Sequence, residues 1–501
     1  MELFSSFFLI LPLLLIFFFI INTSSRRHNS PETGFKSYPI LGSLPDLLKN
    51  RHRFLDWTTE ILAGCPTQTA VFRRPGKIHF VMTANPANVE CMLKTRFENF
   101  PKGERFIAHL EDLLGSGIFN SDGEMWSKQR KTASYEFSTR SLREFVFSNA
   151  TLEITSRLVP MLSEAAKMGK VLDFQDVLER FAFDNICKLA FNVDPACLGG
   201  DATSGAEFMR AFDTAALLIS KRFMSLSPHG WMLKRKFNVG SERILKESVD
   251  TVHRFADDIV RARMEGKSGN KNEDLLSRFI KIDEMNSPDL LRDIVISFIL
   301  AGRETTSSAL SWFFWLLSLH PEVEEKIIEE LNSIRARTGK RTGEIYSFED
   351  LKQMNYLHAS ITESMRLYPP VHVDTLSCLK DIVLPDGTFV GGGWGISYNA
   401  YAMGRMESIW GKDCKRFYPE RWISSNGVFR PENPFKFPVF HAGPRSCLGK
   451  QMAYIQMKSV AAAVLERFVI DVPRKEEHPE FLMSLTLRIN GGLSVKVKER
   501  S

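Results

Sequence analysis

The residues best suited to chemistry lie in one short stretch, FHAGPRSCLG at residues 440–449, here called the cysteine loop. Its single cysteine, Cys447, precedes a long helical pattern, so the sulfur should lie just before a helix N-terminus. The helix dipole and the free N–H groups there favour thiolate over thiol. Arg445 adds a permanent cation that can pair an anionic group of the same ligand, and Phe440 adds an apolar wall. This setting suits a single thiolate bound to a haem iron.

Glycines flank the cysteine on both sides. Gly443 and Gly449 permit positive φ and close approach of the backbone to a flat ligand. The alternative is a buried structural cysteine in a Gly-Pro loop. However, the pattern Phe-x-x-Gly-x-Arg-x-Cys-x-Gly is met at every fixed position. The stretch resembles the haem-binding signature of the cytochrome P450 family, which implies that Cys447 is the axial ligand of haem b and that Phe440 and Arg445 contact the haem.

A second candidate is the pair Trp126 and Arg130, four residues apart and therefore on one face of a helix. On an ordinary surface helix this pair is a solvated arginine over an aromatic ring. Its place far upstream of the cysteine matches the family, and the resemblance implies that both side chains hydrogen-bond a haem propionate.

A third candidate is the middle of a long helix. Ser287, Pro288 and Asp289 form a helix start, and the apolar pattern then runs to Leu319, roughly 48 Å. We call residues 288–319 the long helix.

The middle of the long helix reads AGRETT from Ala301. Gly302 weakens the helix, and Thr305 can bond back to a carbonyl and bend it. Arg303 is interpreted as part of a polar helix face. The resemblance extends to this Ala-Gly-x-acid-Thr pattern: it implies that Ala301 lies beside the haem with room for a flat ligand, and that Glu304 and Thr305 handle protons during oxygen activation.

A fourth candidate is an ion cluster. Glu363 and Arg366 are three apart on a helix that Tyr368 and two prolines end. An exposed pair of this kind is common and contributes little to stability. The resemblance adds Arg421 of the later Pro-Glu-Arg segment and implies a buried triad that retains haem, since buried charges must be paired.

The elements between these motifs follow from periodicity and turn residues. We predict a hairpin at 67–81, a helix at 86–95, amphipathic helices across 140–285, short strands at 371–397, and a strand turn at 481–488. In addition, residues 99–120 are predicted to be rich in loops. Relatives often carry a basic residue at position 376. Here it is Leu376, which leaves a propionate to Trp126, Arg130 and Arg445 and implies looser haem retention.

The N-terminal stretch LFSSFFLILPLLLIFFFII, residues 3–21, is long enough as a helix to cross a bilayer core. Arg26 and Arg27 follow it, so the body should face the cytosol. The alternative, a cleaved signal peptide, lacks a basic start and a small-x-small cleavage site. We therefore expect a transmembrane anchor at 1–22, a linker with a proline-rich hinge at 23–45, and one haem-thiolate domain at 46–501. A disordered linker remains an alternative to the hinge.

Composition limits the class of protein. Net charge is +6, too small to argue for a nucleic-acid partner, and 39 Phe against 9 Tyr suits a large apolar interior or pocket. Seven dispersed cysteines without a CxxC pair indicate reduced thiols in a protein that faces the cytosol.

The fold class expected from the resemblance is mainly α with a smaller β portion. The expected activity is that of an NADPH- and O₂-dependent monooxygenase in the endoplasmic reticulum membrane, receiving electrons through a membrane-bound flavoprotein reductase. Lys128, Lys131 and Lys450 offer basic groups for docking an acidic reductase, although scattered lysines also simply solvate a surface.

Residues 398–414 and 431–443 look specifically like plant microsomal enzymes that hydroxylate the chain ends of fatty acids. This likeness implies a medium-to-long fatty acid hydroxylated at its terminal (omega) carbon. A narrow apolar channel would expose only the chain end, built from residues 106–119, 296–301, 371–373 and 482–487. A sterol side chain or a lipid-derived hormone conjugate would suit the same channel.

Two other classes stay open on the sequence. A haem-thiolate isomerase or dehydratase needs no external electrons and usually lacks a threonine at position 305. A haem sensor needs neither Glu304 nor Thr305. Reductase-dependent turnover separates both from a monooxygenase.

Overall fold

The computed structural model describes residues 34–38, 41–74, 78–137, 140–200, 204–225, 230–266, 274–473 and 478–500. The predicted membrane anchor and most of the predicted linker lie outside these residues. Within them, no helix is both long and apolar enough to cross a membrane. The predicted start of the catalytic domain at residue 46 falls inside the helix Leu44–Asn50.

The chain divides into two compact units. The first takes in Met1–Pro101, Val373–Cys414 and Ala442–Pro444. The second takes in Lys102–His372, Lys415–His441 and Arg445–Ser501. Cys447, the long helix and the Glu363–Arg366 helix all belong to the second unit.

The first unit is built on a four-stranded sheet. The predicted hairpin is confirmed as antiparallel strands Thr69–Arg74 and Ile78–Thr83, followed in the sheet by Gly395–Asn399 and Val373–Ser377. A small antiparallel pair joins Ile382–Val383 to Phe389–Val390. Its helical segments are Leu44–Asn50, Phe54–Gly64, Pro86–Glu90 with the π-helical Cys91–Thr95, Ala400–Met403 and Glu407–Trp410.

The second unit is mostly helical, as predicted. Its α-helices before the long helix are Gly103–Leu114, Gly123–Phe137, Arg140–Glu153, Val159–Met168, Phe174–Phe191, Ser204–Phe223, Gly230–Phe237, Ser241–Met264 and Leu275–Ile280, with a π segment at Ile154–Leu158. After the long helix come Pro321–Thr338, Phe348–Gln353, Asn355–Leu367 and Lys450–Arg467.

The strands of the second unit form two small groups. Val171–Asp173, Ser494–Glu499 and Phe468–Asp471 make a three-stranded antiparallel sheet. The predicted strand turn near the C-terminus is confirmed as a hairpin of Phe481–Met483 and Leu487–Ile489.

The long helix begins where predicted. Ser287 caps it by accepting a hydrogen bond from the Leu290 N–H, and Pro288 holds the first helical position. It then runs as Pro288–Ile299, a π-helical turn at Leu300–Glu304, and Thr305–Leu319. The irregular middle falls on the Ala-Gly-Arg-Glu stretch, as small and polar residues there led us to expect.

The prediction of a loop-rich segment at 99–120 is wrong, because Gly103–Leu114 is helical. Leu110, Leu113 and Leu114 are buried at helical spacing. The helix start is stabilised from outside the segment, since both Asp122 carboxylate oxygens accept hydrogen bonds from the N–H groups of Lys102 and Gly103, at 2.9 Å each. A cap supplied by a residue so distant in the chain has no local signal.

Candidate active site at the cysteine loop

The cysteine loop is closed by a backbone bond and continued by a helix. The N–H of Cys447 donates to the carbonyl of Phe440 at 2.8 Å, and the helix Lys450–Arg467 starts directly after Gly449. The N–H groups of Gly449 and Lys450 hydrogen-bond the sulfur and lower its pKa, but burial has the larger effect and raises it. The helix start therefore acts in the expected direction, but burial outweighs it in the free thiol.

Cys447 differs from the other cysteines. Of the seven, all within the described part of the chain, six are buried and only Cys447 has an exposed side chain. Surrounding protein nevertheless raises the pKa of its thiol. Protein groups therefore surround much of the sulfur, although the cysteine side chain stays exposed.

Of the two glycines of the loop, only Gly443 has the predicted positive φ. Gly443 has φ of +66°, and a Cβ there would collide with the carbonyl oxygen of Leu93, in the same unit. Its conformation and this backbone approach require glycine. Gly449 has φ of −83° and needs no such freedom.

Arg445 and Trp126 come together beside the loop. The Arg445 guanidinium lies 4.4 Å from the Trp126 ring centroid. It also donates to the Ser121 carbonyl at 2.9 Å and to Asp122 at 2.7 Å. Asp122 carries no motif in the sequence, yet it orients Arg445 and caps the helix Gly103–Leu114.

Arg130 lies at the same loop. Its guanidinium donates to the Ser446 carbonyl and approaches the Ser446 hydroxyl at 3.4 Å. Its charge also lowers the pKa of Cys447, although less than burial raises it. The structure thus brings Trp126, Arg130 and Arg445 together around the residues next to Cys447.

The ring of Phe440, at the start of the loop, contacts two residues of the helix Lys450–Arg467. It lies 5.3 Å from the Tyr454 ring, and the Tyr454 hydroxyl is 2.8 Å from that of Thr362. Lys450 lies over the same Phe440 ring at 5.6 Å.

Aromatic rings connect the loop to the long helix. A Cβ on Gly449 would lie 3.7 Å from the Phe137 ring, and that ring stacks on Phe298 at 5.9 Å. Phe298 precedes Ala301 by about one helical turn. The residues around Ala301 are therefore near the cysteine loop.

Ala301 and Thr305 are half-buried in a helix whose other positions are mainly buried. The Thr305 hydroxyl donates to the Ala301 carbonyl at 2.6 Å, as the sequence led us to expect. Gly302 also has a packing role that was not predicted, because a Cβ there would collide with Ile186 of the neighbouring helix. It permits close helix packing, while Ala301 and Thr305 remain accessible.

Glu304 is buried and fully engaged. Its Oε1 accepts from Arg303 at 2.6 Å, and its Oε2 accepts from Thr486 at 3.0 Å. The interpretation of Arg303 as part of a polar helix face is wrong: it is fully buried and also pairs with Glu179 and Asp213. A charged residue inside an apolar helix was the available signal for such partners.

The predicted triad residues form one ion cluster. Both oxygens of Glu363 accept from Arg366 at 2.7 Å, and Glu363 Oε1 lies 3.4 Å from Arg421 Nε. Trp422 and the Tyr418 N–H also donate to this carboxylate, at 2.8 and 3.0 Å. The last two contacts were not foreseen.

Leu376 was singled out in the sequence for its effect on haem retention. It is buried in the strand Val373–Ser377 of the first unit, paired with Ile396. Its effect on haem retention stays a prediction.

The comparison with known proteins agrees with this geometry. The sequence profile described as "Cytochrome P450" matches residues 33–497. The chain belongs to the cytochrome P450 family. It is 52% identical to cytochrome P450 CYP94D108 of Paris polyphylla, over 92% of this chain and 91% of that one. It is 46% identical to cytochrome P450 94B1 of Arabidopsis thaliana (93% and 91%) and 43% to cytochrome P450 94A1 of Vicia sativa (93% and 90%).

Membership makes this cytochrome P450 a monooxygenase that uses haem iron, electrons from a redox partner and a hydrophobic substrate. The residues present fit haem. One accessible sulfur has backbone donors aimed at it, and three side chains able to bond carboxylates surround the loop. Cys447 would hold the iron, which removes the thiol proton that burial otherwise retains. Phe440, Trp126, Arg130 and Arg445 would hold the porphyrin and its propionates.

When bound, haem supplies oxygen activation, and a thiolate ligand favours O–O cleavage. The protein contributes position and proton control. Because the Thr305 hydroxyl already donates to Ala301, its oxygen can still accept a hydrogen bond. Thr305 can therefore orient a proton donor at this half-buried face. The proton roles of Thr305 and Glu304 stay predictions.

Proposed function

We propose that this cytochrome P450 hydroxylates the terminal carbon of a medium-to-long fatty acid, with NADPH and O₂ as co-substrates. The observation that carries the proposal is that the predicted channel segments 106–119, 296–301 and 482–487 belong to or contact the long helix. Val371 of the fourth segment follows Pro370, which is bonded to Leu487. A terminal C–H bond is stronger than its methylene neighbours, so positioning alone must select it. Several segments gathered on one helix can form a narrow apolar passage.

The first contact involves the segment after the helix Gly103–Leu114. The Ser116 N–H donates to Asp293 of the long helix at 2.9 Å. Gly117 approaches so closely that a Cβ would collide with the Ser297 hydroxyl. Phe119, two residues later, keeps 40% of its surface exposed. An exposed apolar ring therefore follows, two residues along the chain, the point of contact with the helix turn that precedes Ala301.

The second contact involves the C-terminal hairpin. The Leu487 carbonyl accepts from Ser308 at 2.7 Å and from Trp312 at 2.9 Å, both on the long helix. The Leu487 N–H donates to the Pro370 carbonyl at 2.9 Å. These bonds hold the segment next to Val371 against the same helix. Val371 is 40% exposed between buried neighbours, and Leu485 at the hairpin tip is half-buried.

A sterol side chain or a lipid-derived hormone conjugate remains the alternative substrate, because either would present alkyl carbons to the same segments. Isomerase or dehydratase chemistry is disfavoured by Thr305. Electrons would come from NADPH through a membrane-bound flavoprotein reductase. Lys131 and Lys450 are the better docking candidates, since Lys128 is paired with Glu124 and Glu284.

The proposed location is the endoplasmic reticulum membrane, with a single span at residues 3–21 and the catalytic part in the cytosol. A structural feature supports a membrane-bound protein. Met232, Leu233 and Phe237 are exposed on the helix Gly230–Phe237, whose last turn carries three basic residues. Apolar side chains beside cations suit the interface of an anionic bilayer.

The test is reconstitution of the full chain in microsomes with reductase, NADPH and a panel of fatty acids, sterols and hormone conjugates. Mass spectrometry locates the new hydroxyl. We expect the main products to be fatty acids that carry the new hydroxyl on the terminal carbon. Dominant mid-chain oxidation would contradict the narrow channel, and turnover of sterol alone would favour the alternative. A reduced-CO spectrum at the ordinary haem-protein position, unchanged by Cys447→Ala, would overturn thiolate ligation.

A further inference from the structure

An aromatic stack lies beside the second half of the long helix, within the second unit. The ring of Trp312 lies flat on that of Tyr368, with centroids 4.2 Å apart and planes only 5° from parallel. Trp315 meets the Tyr368 ring edge-on at 5.5 Å. All three side chains are buried. Indole and phenol rings are the most easily oxidised aromatic side chains, and two rings in direct contact can exchange an electron.

The Tyr368 hydroxyl has a defined proton acceptor. It lies 3.0 Å from Nε2 of His478, and Nδ1 of the same imidazole lies 3.1 Å from the Pro479 carbonyl oxygen. A carbonyl oxygen only accepts, so Nδ1 carries the proton of the neutral ring and Nε2 is left as an acceptor. The Tyr368 O–H therefore donates to His478. A phenol gives up an electron far more readily when its proton can leave at the same time.

The stack connects the reaction side of the long helix to solvent. Trp312 follows Thr305 by almost two helical turns, about 10 Å along the axis, so the two side chains leave the same side of the helix. The Trp312 indole N–H donates to the Leu487 carbonyl at 2.9 Å, which fixes the ring against the C-terminal hairpin. At the other end His478 is exposed. A reductant in solution can therefore approach the end of the stack that lies away from the reaction site.

We propose that Trp312, Tyr368 and His478 form an electron route that reduces an oxidised haem when a reaction cycle ends without oxidation of substrate. The route would protect the protein from its own oxidant. It goes beyond the proposed function and requires haem binding, but it does not depend on which substrate is hydroxylated.

The steps balance in electrons and protons. Trp312 gives one electron to the oxidised haem and becomes an indole radical cation that keeps its N–H. Tyr368 then returns one electron to Trp312 and passes its hydroxyl proton to Nε2 of His478, which leaves a tyrosyl radical and an imidazolium. A small thiol in solution supplies one electron, and the proton returns from His478 to Tyr368. The thiol loses its own proton to water and becomes a thiyl radical.

The alternative is a purely structural cluster, in which the bond from Tyr368 to His478 only ties the chain to the end of the helix Asn355–Leu367. The variant Tyr368→Phe separates the two, because phenylalanine keeps the stacked ring and removes the O–H.

Tyr346→Phe is a matched control. Tyr346 is 7% exposed, against 6% for Tyr368, and its hydroxyl also donates to a proton acceptor, Glu466, at 2.8 Å. Its ring, however, lies against the Arg335 guanidinium at 3.7 Å and not against an indole.

The first measurement needs neither substrate nor reductase. The full-length ferric holoprotein is mixed with an organic peracid, which oxidises haem directly, and is freeze-quenched for electron paramagnetic resonance. We expect a tyrosyl radical in wild type and in Tyr346→Phe, and its loss in Tyr368→Phe. A wild type without a tyrosyl radical, or an unchanged signal in Tyr368→Phe, would overturn the route.

The second measurement is the survival of haem under the same peracid, followed by the loss of its Soret absorbance with and without glutathione. Tyr368→Phe should bleach several-fold faster than wild type, and glutathione should protect it less. Tyr346→Phe should behave as wild type. Equal bleaching in all three proteins would overturn the protective role.

If Tyr368→Phe does not fold with haem, His478→Phe tests the exposed end of the stack. This variant keeps an aromatic ring and removes the proton acceptor, so the tyrosyl signal should weaken and bleaching should become faster. A signal and a bleaching rate equal to wild type would overturn the route through His478. Failure of the fatty-acid proposal would appear as a different substrate in the panel and would leave these substrate-free measurements unchanged, so the two failures are distinguishable.

Discussion

Replacing Glu363 with alanine removes the centre of the buried triad. Glu363 and Arg366 have no exposed side-chain surface. The Glu363 carboxylate accepts two bonds from Arg366 at 2.7 Å, one from Trp422 at 2.8 Å and one from the Tyr418 N–H at 3.0 Å. Arg421 lies 3.4 Å from it. The substitution therefore leaves two guanidinium groups without their shared carboxylate.

The expected loss in the free energy of unfolding follows from these contacts. Breaking a buried ion pair from one side costs about 3–5 kcal/mol. Glu363→Ala should lie at the upper end of that range, because every donor above loses its acceptor. Arg366→Ala should cost less, because Arg421, Trp422 and Tyr418 still bind the carboxylate. Arg366→Lys retains the charge but not the planar guanidinium that donates two hydrogen bonds to Glu363. It should cost about 1.5–3 kcal/mol.

The assay combines stability with haem content. Urea unfolding of purified protein gives the free energy of unfolding, in which about 3–5 kcal/mol is roughly a hundred- to several-thousand-fold in the folded-to-unfolded ratio. The reduced-CO spectrum and total haem give occupancy per folded chain. We expect Glu363→Ala to be both less stable and poor in haem.

Arg335→Ala is the matched control. Arg335 forms a pair with Glu466 that also has two hydrogen bonds, at 2.7 and 2.8 Å, and is almost as buried, with 7% and 6% of the two side chains exposed. It should lose stability while its folded fraction keeps haem. Glu363→Ala with full haem and an unfolding free energy within about 1 kcal/mol of wild type would refute the reasoning. Equal haem loss in both variants would show that occupancy merely follows stability.

Three further outcomes are expected. Thr305→Ala should retain the CO spectrum and substrate binding but release more peroxide per NADPH, and coupling equal to wild type would mean that Thr305 only shapes the helix. Lys131→Glu combined with Lys450→Glu should slow reduction by the reductase several-fold at low salt and flatten its salt dependence; unchanged stopped-flow rates would remove both residues from the docking site. Val371→Phe, which enlarges an exposed apolar side chain, should lower kcat/KM for long chains more than for short ones in product assays, and an unchanged chain-length profile would place Val371 outside the channel.

Much of the architecture follows from local signals. The cap at Ser287, the proline after it and the apolar pattern place the long helix, and small residues around Ala301 place its irregular turn. Strand alternation and turn residues place the sheet of the first unit. The fixed spacing in the cysteine loop identifies Cys447 and Arg445, because that spacing depends on backbone geometry within a few residues. Such signals are short-range, and the sequence carries them in full.

The features that the sequence did not predict share a different cause. The helix Gly103–Leu114 is capped by Asp122, and Gly302 is required by Ile186 across a helix contact. Both depend on partners that the sequence does not mark.

The sequence likewise does not show which charged side chains are buried together. The sequence placed Glu304 beside Thr305, but only the tertiary structure gives Arg303 its buried partners, including Glu179, more than a hundred positions away. Whether an ionisable side chain is solvated or buried, and with which sign of neighbour, depends on packing between distant elements, and packing sets its protonation. The sequence by itself predicted which cysteine would hold the iron; the fold decided which charged side chains are buried together.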